Sequence, residues 1–264
     1  MDCVVMEPIG VVTSDLSLRA PTPDLVGQLR RLLAEHGVLI VRGQHLDDPE
    51  FVQFLTSFGR LTFTPGETPV EGFPDLNIVS NLGRDTPPRS TFHVDSSYLS
   101  QPPSYTALRA VRIPAVGGQT LFTNQYRAYE TLRPELRDRL DGRLITHEVT
   151  GIDLTSLDAG AETTAEHPVF RTHPISGRTA IYLSTPQRCT AISGLDAEES
   201  ARTVEELFGH STAEDNTYRH TWAPGDVVMW DNACVMHRAD HDGVVGDRVM
   251  HRGMVVGYGP PATP

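Results

Sequence analysis

Thr91-Phe92-His93-Val94-Asp95-Ser96 carries a histidine and an aspartate two residues apart. On an extended strand, residues i and i+2 project from the same face. The spacing therefore predicts an imidazole nitrogen and a carboxylate oxygen side by side, able to grip one metal ion. By itself such a pair also reads as a core histidine beside a chance acid. His237 is the third candidate, in Trp230-Asp231-Asn232-Ala233-Cys234-Val235-Met236-His237, where a turn feeds a strand that delivers an imidazole. Two histidines and one carboxylate on one face of an octahedron leave three positions open, the ligand set associated with non-haem Fe(II) oxygenases. Arg248 and Arg252, four apart, share a strand face. A guanidinium placed there can fork onto a carboxylate through two charge-assisted bonds, and Thr120 could add a hydroxyl donor to the same anion. Arg252 reads equally as a structural ion pair. His251, between the arginines, points the other way and reads as structural, as do Trp230 and Asp231. His147, His167, His173 and His241 have no ligand partner in the sequence pattern, and Cys234 reads as a buried apolar side chain.

Positioning such residues takes a frame, and the chain signals one rich in short strands. Helices are predicted over 21–37, where Leu25, Leu29, Leu32 and Leu33 recur at helical spacing before Gly37, and over 48–58, 124–132, 134–140 and 196–210. Strands are predicted at 38–41, 76–80, around His93, and at 105–113 and 144–149. The segments 168–173 and 179–183 form a hairpin about Pro174-Ile175-Ser176-Gly177. The last fifth holds four more strands, at 218–222, 226–230, 234–237 and 248–256. The stretches 60–74, 82–90 and 150–166 read as loops, the first as a lid or binding loop. No internal repeat or linker divides the chain. The expectation is one domain over residues 1–264, mainly β with flanking helices, with a barrel-like or sandwich core.

Composition narrows the partners. A formal net charge of −12 argues against nucleic acid or an anionic membrane surface. No apolar run approaches the roughly 18 residues of a membrane span, and the first residues lack the basic and apolar regions of a signal peptide. Cys3, Cys189 and Cys234 are too few and too widely spaced for a disulfide framework or a zinc set. These features predict a cytoplasmic protein acting on a small molecule, with neither nucleic acid nor membrane as partner; a homo-oligomer stays open.

Five motifs occur in order: Phe92-His93-Val94-Asp95, Gly117-Gly118-Gln119-Thr120-Leu121, Arg171-Thr172-His173-Pro174-Ile175-Ser176-Gly177, Trp230-Asp231-Asn232 through His237, and Arg248-Val249-Met250-His251-Arg252. Together they resemble the taurine dioxygenase (TauD/TfdA) family of Fe(II)- and 2-oxoglutarate-dependent dioxygenases, most closely from about His93 to Gly257. The resemblance implies a double-stranded β-helix (jelly-roll, cupin-like) core. It implies that His93, Asp95 and His237 ligate Fe(II), and that Thr120 and Arg248 hold the distal carboxylate of 2-oxoglutarate. It implies that O2 is consumed, that succinate and CO2 are released, and that an unactivated C–H bond is hydroxylated or desaturated. Related halogenases have a small residue where Asp95 stands, so the carboxylate disfavours halogenation. In taurine dioxygenase the arginine matching Arg252 meets the substrate sulfonate, which suggests a substrate role here. Asn81, Tyr98 and the 184–188 stretch with Arg188 are expected to wall the pocket beside the 60–74 loop. Thr185 to Arg188 is polar, unlike the taurine enzyme's aromatic surround. The expected substrate is a small polar, carboxylate-bearing metabolite rather than taurine. The rival readings are a cupin-type metal dioxygenase that does not use 2-oxoglutarate, which would not need Arg248, and a non-enzymatic small-molecule-binding member of the fold.

Overall fold

Val38–Val41 is apolar throughout and Val227–Asp231 is apolar up to its last residue, because both of their faces are covered. They are neighbours in the main sheet of a computed structural model that describes residues 2–83, 91–151, 157 and 159–258. That sheet has nine strands. Its path runs Val4–Val5, Val11–Thr13, Val38–Val41, Val227–Asp231, Tyr105–Arg112, Val249–Val256, Phe73–Ser80, Pro69–Val70, and Arg60–Thr62 pairs with Val249–Val256 off this path. All pairings are antiparallel except that of Val11–Thr13 with Val38–Val41.

One face of the sheet, with Leu39, Ala107, Met229 and Val255, packs on the helices Pro23–His36 and Asp48–Thr56. Alternate residues Ile40, Leu108, Val228, Trp230 and Met250 face inward. Opposite them lies a second sheet of Thr217–His220, Thr120–Asn124 and Val235–Ala239, whose Phe122 ring meets Trp230 at 5.4 Å between centroids. Two layers, antiparallel but for the Val11–Thr13 pairing, closing on a shared interior make a jelly roll, and the interior between them holds the site. A third layer joins the sheet Thr164–Pro168, Leu144–Glu148, Cys189–Ile192 to helices Gln125–Thr131, Pro134–Leu140 and Ala197–Ser211. No helix among the described residues is long and apolar enough to cross a membrane.

Local chemistry sets the helix ends. Thr22 Oγ1 caps Leu25 N, Pro23 opens the first turn, and Gly37 closes the helix at φ 71°. A Cβ at Gly37 would lie 2.7 Å from Ile9 Cδ1, so the stop also needs the missing side chain. Asp47 and Glu50 form a reciprocal capping box, and Asp196 caps Glu199 N.

The predicted helices and strands occur, with these differences. The 60–74 segment, expected as a loop, contains Arg60–Thr62, Pro69–Val70 and the start of Phe73–Ser80. These strands exist because neighbouring strands supply a ladder, so their own hydrophobic pattern is weak. For the same reason Thr164–Pro168 intrudes on the expected 150–166 loop, and the strands Val4–Val5, Val11–Thr13 and Cys189–Ile192 carry too little pattern of their own to be predicted. The strand expected around His93 is a single bridge to His237, followed by a turn in which Ser96 has φ 44°. Residues 84–90 of the expected 82–90 loop, and 152–156 and 158 of the 150–166 loop, lie outside the described residues.

Candidate active site

His93 and His237 exchange backbone hydrogen bonds, His93 N to His237 O and His237 N to His93 O, both at 3.0 Å. This bridge carries the ligand segment onto the Val235–Ala239 strand. The turn after it swings Asp95 to the same side. His93 Nε2 lies 3.5 Å from Asp95 Oδ1, and His237 Nε2 lies 3.8 Å from Asp95 Oδ2. One donor atom from each of the three residues falls within 4.8 Å of the others. Cis ligands of an octahedral ion bound at about 2.1 Å stand roughly 3 Å apart, so the cluster is slightly open and of the right size.

The protonation states suit a cation. His93 Nδ1 donates to Thr91 O at 3.0 Å, which leaves the Nε2 lone pair facing the cluster. Burial pushes His237 down to about 3, outweighing the pull of Asp95, so its imidazole is neutral. Burial opposes ionisation of Asp95, yet the Arg252 guanidinium beside it helps hold the carboxyl well below its usual range. A neutral imidazole and an ionised carboxylate are the forms a metal requires. The Trp230 ring packs on His237 at 4.3 Å between centroids.

Further in, Arg248 is 1% exposed, and among the described residues no carboxylate pairs with it. Burial alone pulls its guanidinium down to about 10. Nε donates to Gly118 O at 2.9 Å and Nη2 to Thr120 Oγ1 at 3.2 Å. Gly118 permits this approach, since a Cβ there would lie 3.1 Å from Arg248 Cδ and 2.7 Å from Pro114 Cγ. Thr120 Oγ1 also accepts from Trp222 Nε1 at 3.1 Å. With two donors on its oxygen, the Thr120 hydroxyl proton is left to point elsewhere. A buried guanidinium without a counter-ion, beside a spare hydroxyl proton, is a site for an anion.

These residues line one cavity of about 890 Å³. Arg252 reaches it from the same face as Arg248, with Nη1 3.4 Å from Asp95 Oδ1 and Nη2 3.4 Å from Glu67 Oε1. His251 points to the opposite face, onto Asp48 at 2.6 Å. Tyr98 and Arg188 form one wall, with the guanidinium 5.5 Å from the ring centroid. Arg188 Nη1 donates to Val94 O at 3.1 Å, and burial lowers its pKa. Asn81, expected in the wall, lies outside the lining. Its Oδ1 accepts from Arg248 N at 2.8 Å and its Nδ2 donates to Gly246 O at 3.0 Å, so the amide clasps the backbone that carries Arg248.

The third layer grips the ligand segment from behind. Ser184 Oγ accepts from Val94 N at 3.3 Å, His147 Nδ1 meets Ser97 Oγ at 2.9 Å, and His167 Nε2 donates to Ser97 O at 2.8 Å. Two of the four histidines left without a ligand partner, His147 and His167, thus buttress the site. Sequence reasoning also missed Glu67, Thr64 and His241, which line the cavity. A lone polar residue in a loop carries no periodic signal; the long 60–74 stretch was the only hint of Glu67.

Residues 6–254 match the family described as "Taurine catabolism dioxygenase TauD, TfdA family". The chain is similar to the alpha-ketoglutarate-dependent 2,4-dichlorophenoxyacetate dioxygenase of Cupriavidus pinatubonensis, 29% identical over 251 residues, with 86% of this chain and 87% of the relative covered. Pentalenolactone F synthase of Streptomyces arenae is 32% identical over 256 residues, 86% and 84% of the two chains. The crystal structure of a taurine dioxygenase from Burkholderia xenovorans superposes with a TM-score of 0.85 at 31% identity, covering 100% of this chain and 93% of that one.

Proposed function

The chain belongs to the TauD/TfdA family of Fe(II)- and 2-oxoglutarate-dependent dioxygenases, and from that premise we propose that it hydroxylates or desaturates an unactivated C–H bond of a small, singly anionic, carboxylate-bearing metabolite. His93, Asp95 and His237 hold the iron. Arg248 and Thr120 take the distal carboxylate of 2-oxoglutarate. Bound Fe(II), with 2-oxoglutarate and O2, supplies the oxidising power for C–H cleavage, leaving succinate and CO2. The protein's share is placement. Arg248 forks onto the far carboxylate and the Thr120 proton closes on it. Asn81 holds the Arg248 backbone in line. Trp230 and Leu108 give the cavity wall apolar surface, which keeps water from the reacting centre.

One observation carries this reading: the three-residue ligand cluster and an uncompensated buried guanidinium share one cavity. The charge of that cavity supports the substrate class. Among the described residues, its lining arginines Arg188, Arg248 and Arg252 outnumber the carboxylates Glu67 and Asp95 by one. Fe(II) and the 2-oxoglutarate dianion cancel, so this excess of positive charge among the described lining favours an anionic substrate. Relatives are named for 2,4-dichlorophenoxyacetate and (S)-phenoxypropionate, which are single carboxylates, and for sulfate esters, which are single anions without one. Arg252 already stands between Asp95 and Glu67, whereas among the described residues Arg188 faces no paired carboxylate. The substrate carboxylate accordingly meets Arg188 above Tyr98, and Arg252 bounds the cavity beside the metal.

Anaerobic addition of Fe(II) and 2-oxoglutarate to the apoprotein tests the reading. The weak visible charge-transfer band of the chelate is expected. Admitting oxygen with a library of small carboxylates should then release succinate in a substrate-dependent way. No band and no succinate would overturn it.

A further inference from the structure

Thr106 lies on Tyr105–Arg112, fully buried, on the face turned to the interior between the two sheets. Its hydroxyl donates to Asp95 Oδ2 at 2.8 Å. Its oxygen accepts from Asn232 Nδ2 at 2.9 Å, and Asn232 Oδ1 accepts from Trp230 Nε1 at 3.1 Å. The direction of this chain is forced. An indole N–H can only donate, so Trp230 holds the amide oxygen of Asn232 towards itself and turns the NH2 towards Thr106. The NH2 occupies the Thr106 oxygen and sends its proton to Asp95. Every donor therefore points at the carboxylate, and all four residues are buried. The chain begins at the ring that packs on His237, so it links two members of the ligand cluster through the protein interior.

The two oxygens of Asp95 have different surroundings. Oδ2 takes the short bond from Thr106. Arg252 Nη1 at 3.4 Å and His93 Nε2 at 3.5 Å are measured to Oδ1, and the longer imidazole approach, His237 Nε2 at 3.8 Å, is to Oδ2. A carboxylate free to turn can present both oxygens to a metal and fill an additional coordination position. One whose second oxygen is tied back presents one.

We propose that Thr106 is a positioning residue for the metal: by holding Oδ2 it presents Asp95 through Oδ1 alone, with Asn232 and Trp230 keeping the hydroxyl aimed. The inference rests on the reading that His93, Asp95 and His237 hold the metal. Its consequence is that the remaining positions stay open for the two donor atoms of 2-oxoglutarate and for dioxygen.

The test is anaerobic titration of the apoprotein with Co(II), read by its visible d–d absorption. Thr106→Val should weaken Co(II) binding about 10- to 100-fold, the range for lost outer-shell partners, and change the d–d spectrum. Thr106→Ser, which keeps the hydroxyl, should bind within threefold of wild type. A purely structural role would lower the thermal midpoint of the Val variant and leave the affinity and spectrum of the folded protein unchanged. That outcome overturns the proposal. Should Thr106→Val fail to fold, Asn232→Ala carries the test: several-fold weaker Co(II) binding is expected, and wild-type binding overturns it. His237→Ala separates the two levels of inference. If wild type does not bind Co(II), or His237→Ala binds it as tightly as wild type, the metal-site reading fails and the role of Thr106 with it.

Discussion

Replacing Arg248 with Met should abolish the response to 2-oxoglutarate while leaving the apoprotein about as stable as before. The side chain is almost fully buried without a counter-ion, and burial has pulled it down to about 10 from 12.5. At about 1.4 kcal/mol per pKa unit, the apoprotein carries on the order of 3 kcal/mol of desolvation cost at this residue. Met removes that cost and nearly matches the volume. It also removes the bonds to Gly118 O and Thr120 Oγ1, about 1.5–3 kcal/mol each for a charged donor. The opposing effects roughly cancel, so the apoprotein midpoint should move by no more than a few degrees. Ligand binding has no such compensation. Losing one partner of a buried charge pair costs about 2–5 kcal/mol, so Kd for 2-oxoglutarate should rise from about 30-fold to a few thousand-fold. Anaerobic thermal unfolding with Mn(II) and graded 2-oxoglutarate reads this directly. At a concentration 100 times the wild-type Kd, the ligand adds about 2.7 kcal/mol, roughly 5–10 °C for a domain of this size. With Kd raised a hundredfold, the same concentration adds about 0.4 kcal/mol, roughly 1 °C. A variant that keeps the full ligand-induced shift would refute Arg248 as the co-substrate anchor. An apoprotein midpoint lowered by 10 °C or more would instead show that Arg248 serves the fold.

Asp95→Ala removes the sole carboxylate of the ligand cluster, so 2-oxoglutarate consumption should fall at least a hundredfold; wild-type turnover would sink the assignment. Arg188→Gln should raise KM for a carboxylate substrate, once the succinate screen finds one, by about 30-fold or more with a smaller change in kcat. An unchanged KM would return Arg188 to its backbone contact with Val94 as a structural residue. Apoprotein stability should depend on pH through the buried histidines. Burial pushes His167 down to about 4, so the unfolded chain binds more protons between that value and about 6.5. Its contribution is complete above pH 6.5 and is lost as pH falls, by about 2 kcal/mol at pH 5 for this one imidazole. His147, lowered the same way by burial, adds to the loss. Urea midpoints that agree at pH 7.5 and pH 5 would contradict the neutral, buried state of both.

Much of the site was open to sequence reasoning because its signals are local or periodic. The His93-x-Asp95 spacing, the strand that delivers His237, and the four-residue step from Arg248 to Arg252 each constrain which side chains share a face. That constraint holds even though His93 sits on one bridge and a turn rather than on a regular strand. The apolar runs of the buried strands and the capped helices were equally readable, since burial on both faces and capping leave marks in composition. Short strands such as Arg60–Thr62 left none, because their existence depends on a partner's ladder.

The residue types by themselves pointed to a metal-ligand set and an anion anchor, and the order of the five motifs, through their resemblance to the TauD/TfdA family, supplied the reaction class. Tertiary structure decided how those groups are held and which neighbours they meet. It turned Asn81 from the pocket wall to the Arg248 backbone, set Glu67 against Arg252, and brought His147 and His167 onto Ser97. It also placed Thr106 behind Asp95, with Asn232 and Trp230 behind Thr106. The reason is physical. A hydrogen bond depends on tenths of an ångström between residues far apart in the chain, and a single polar residue in an apolar strand has no period to betray its partner. Only the packing of strand on strand brings the two together.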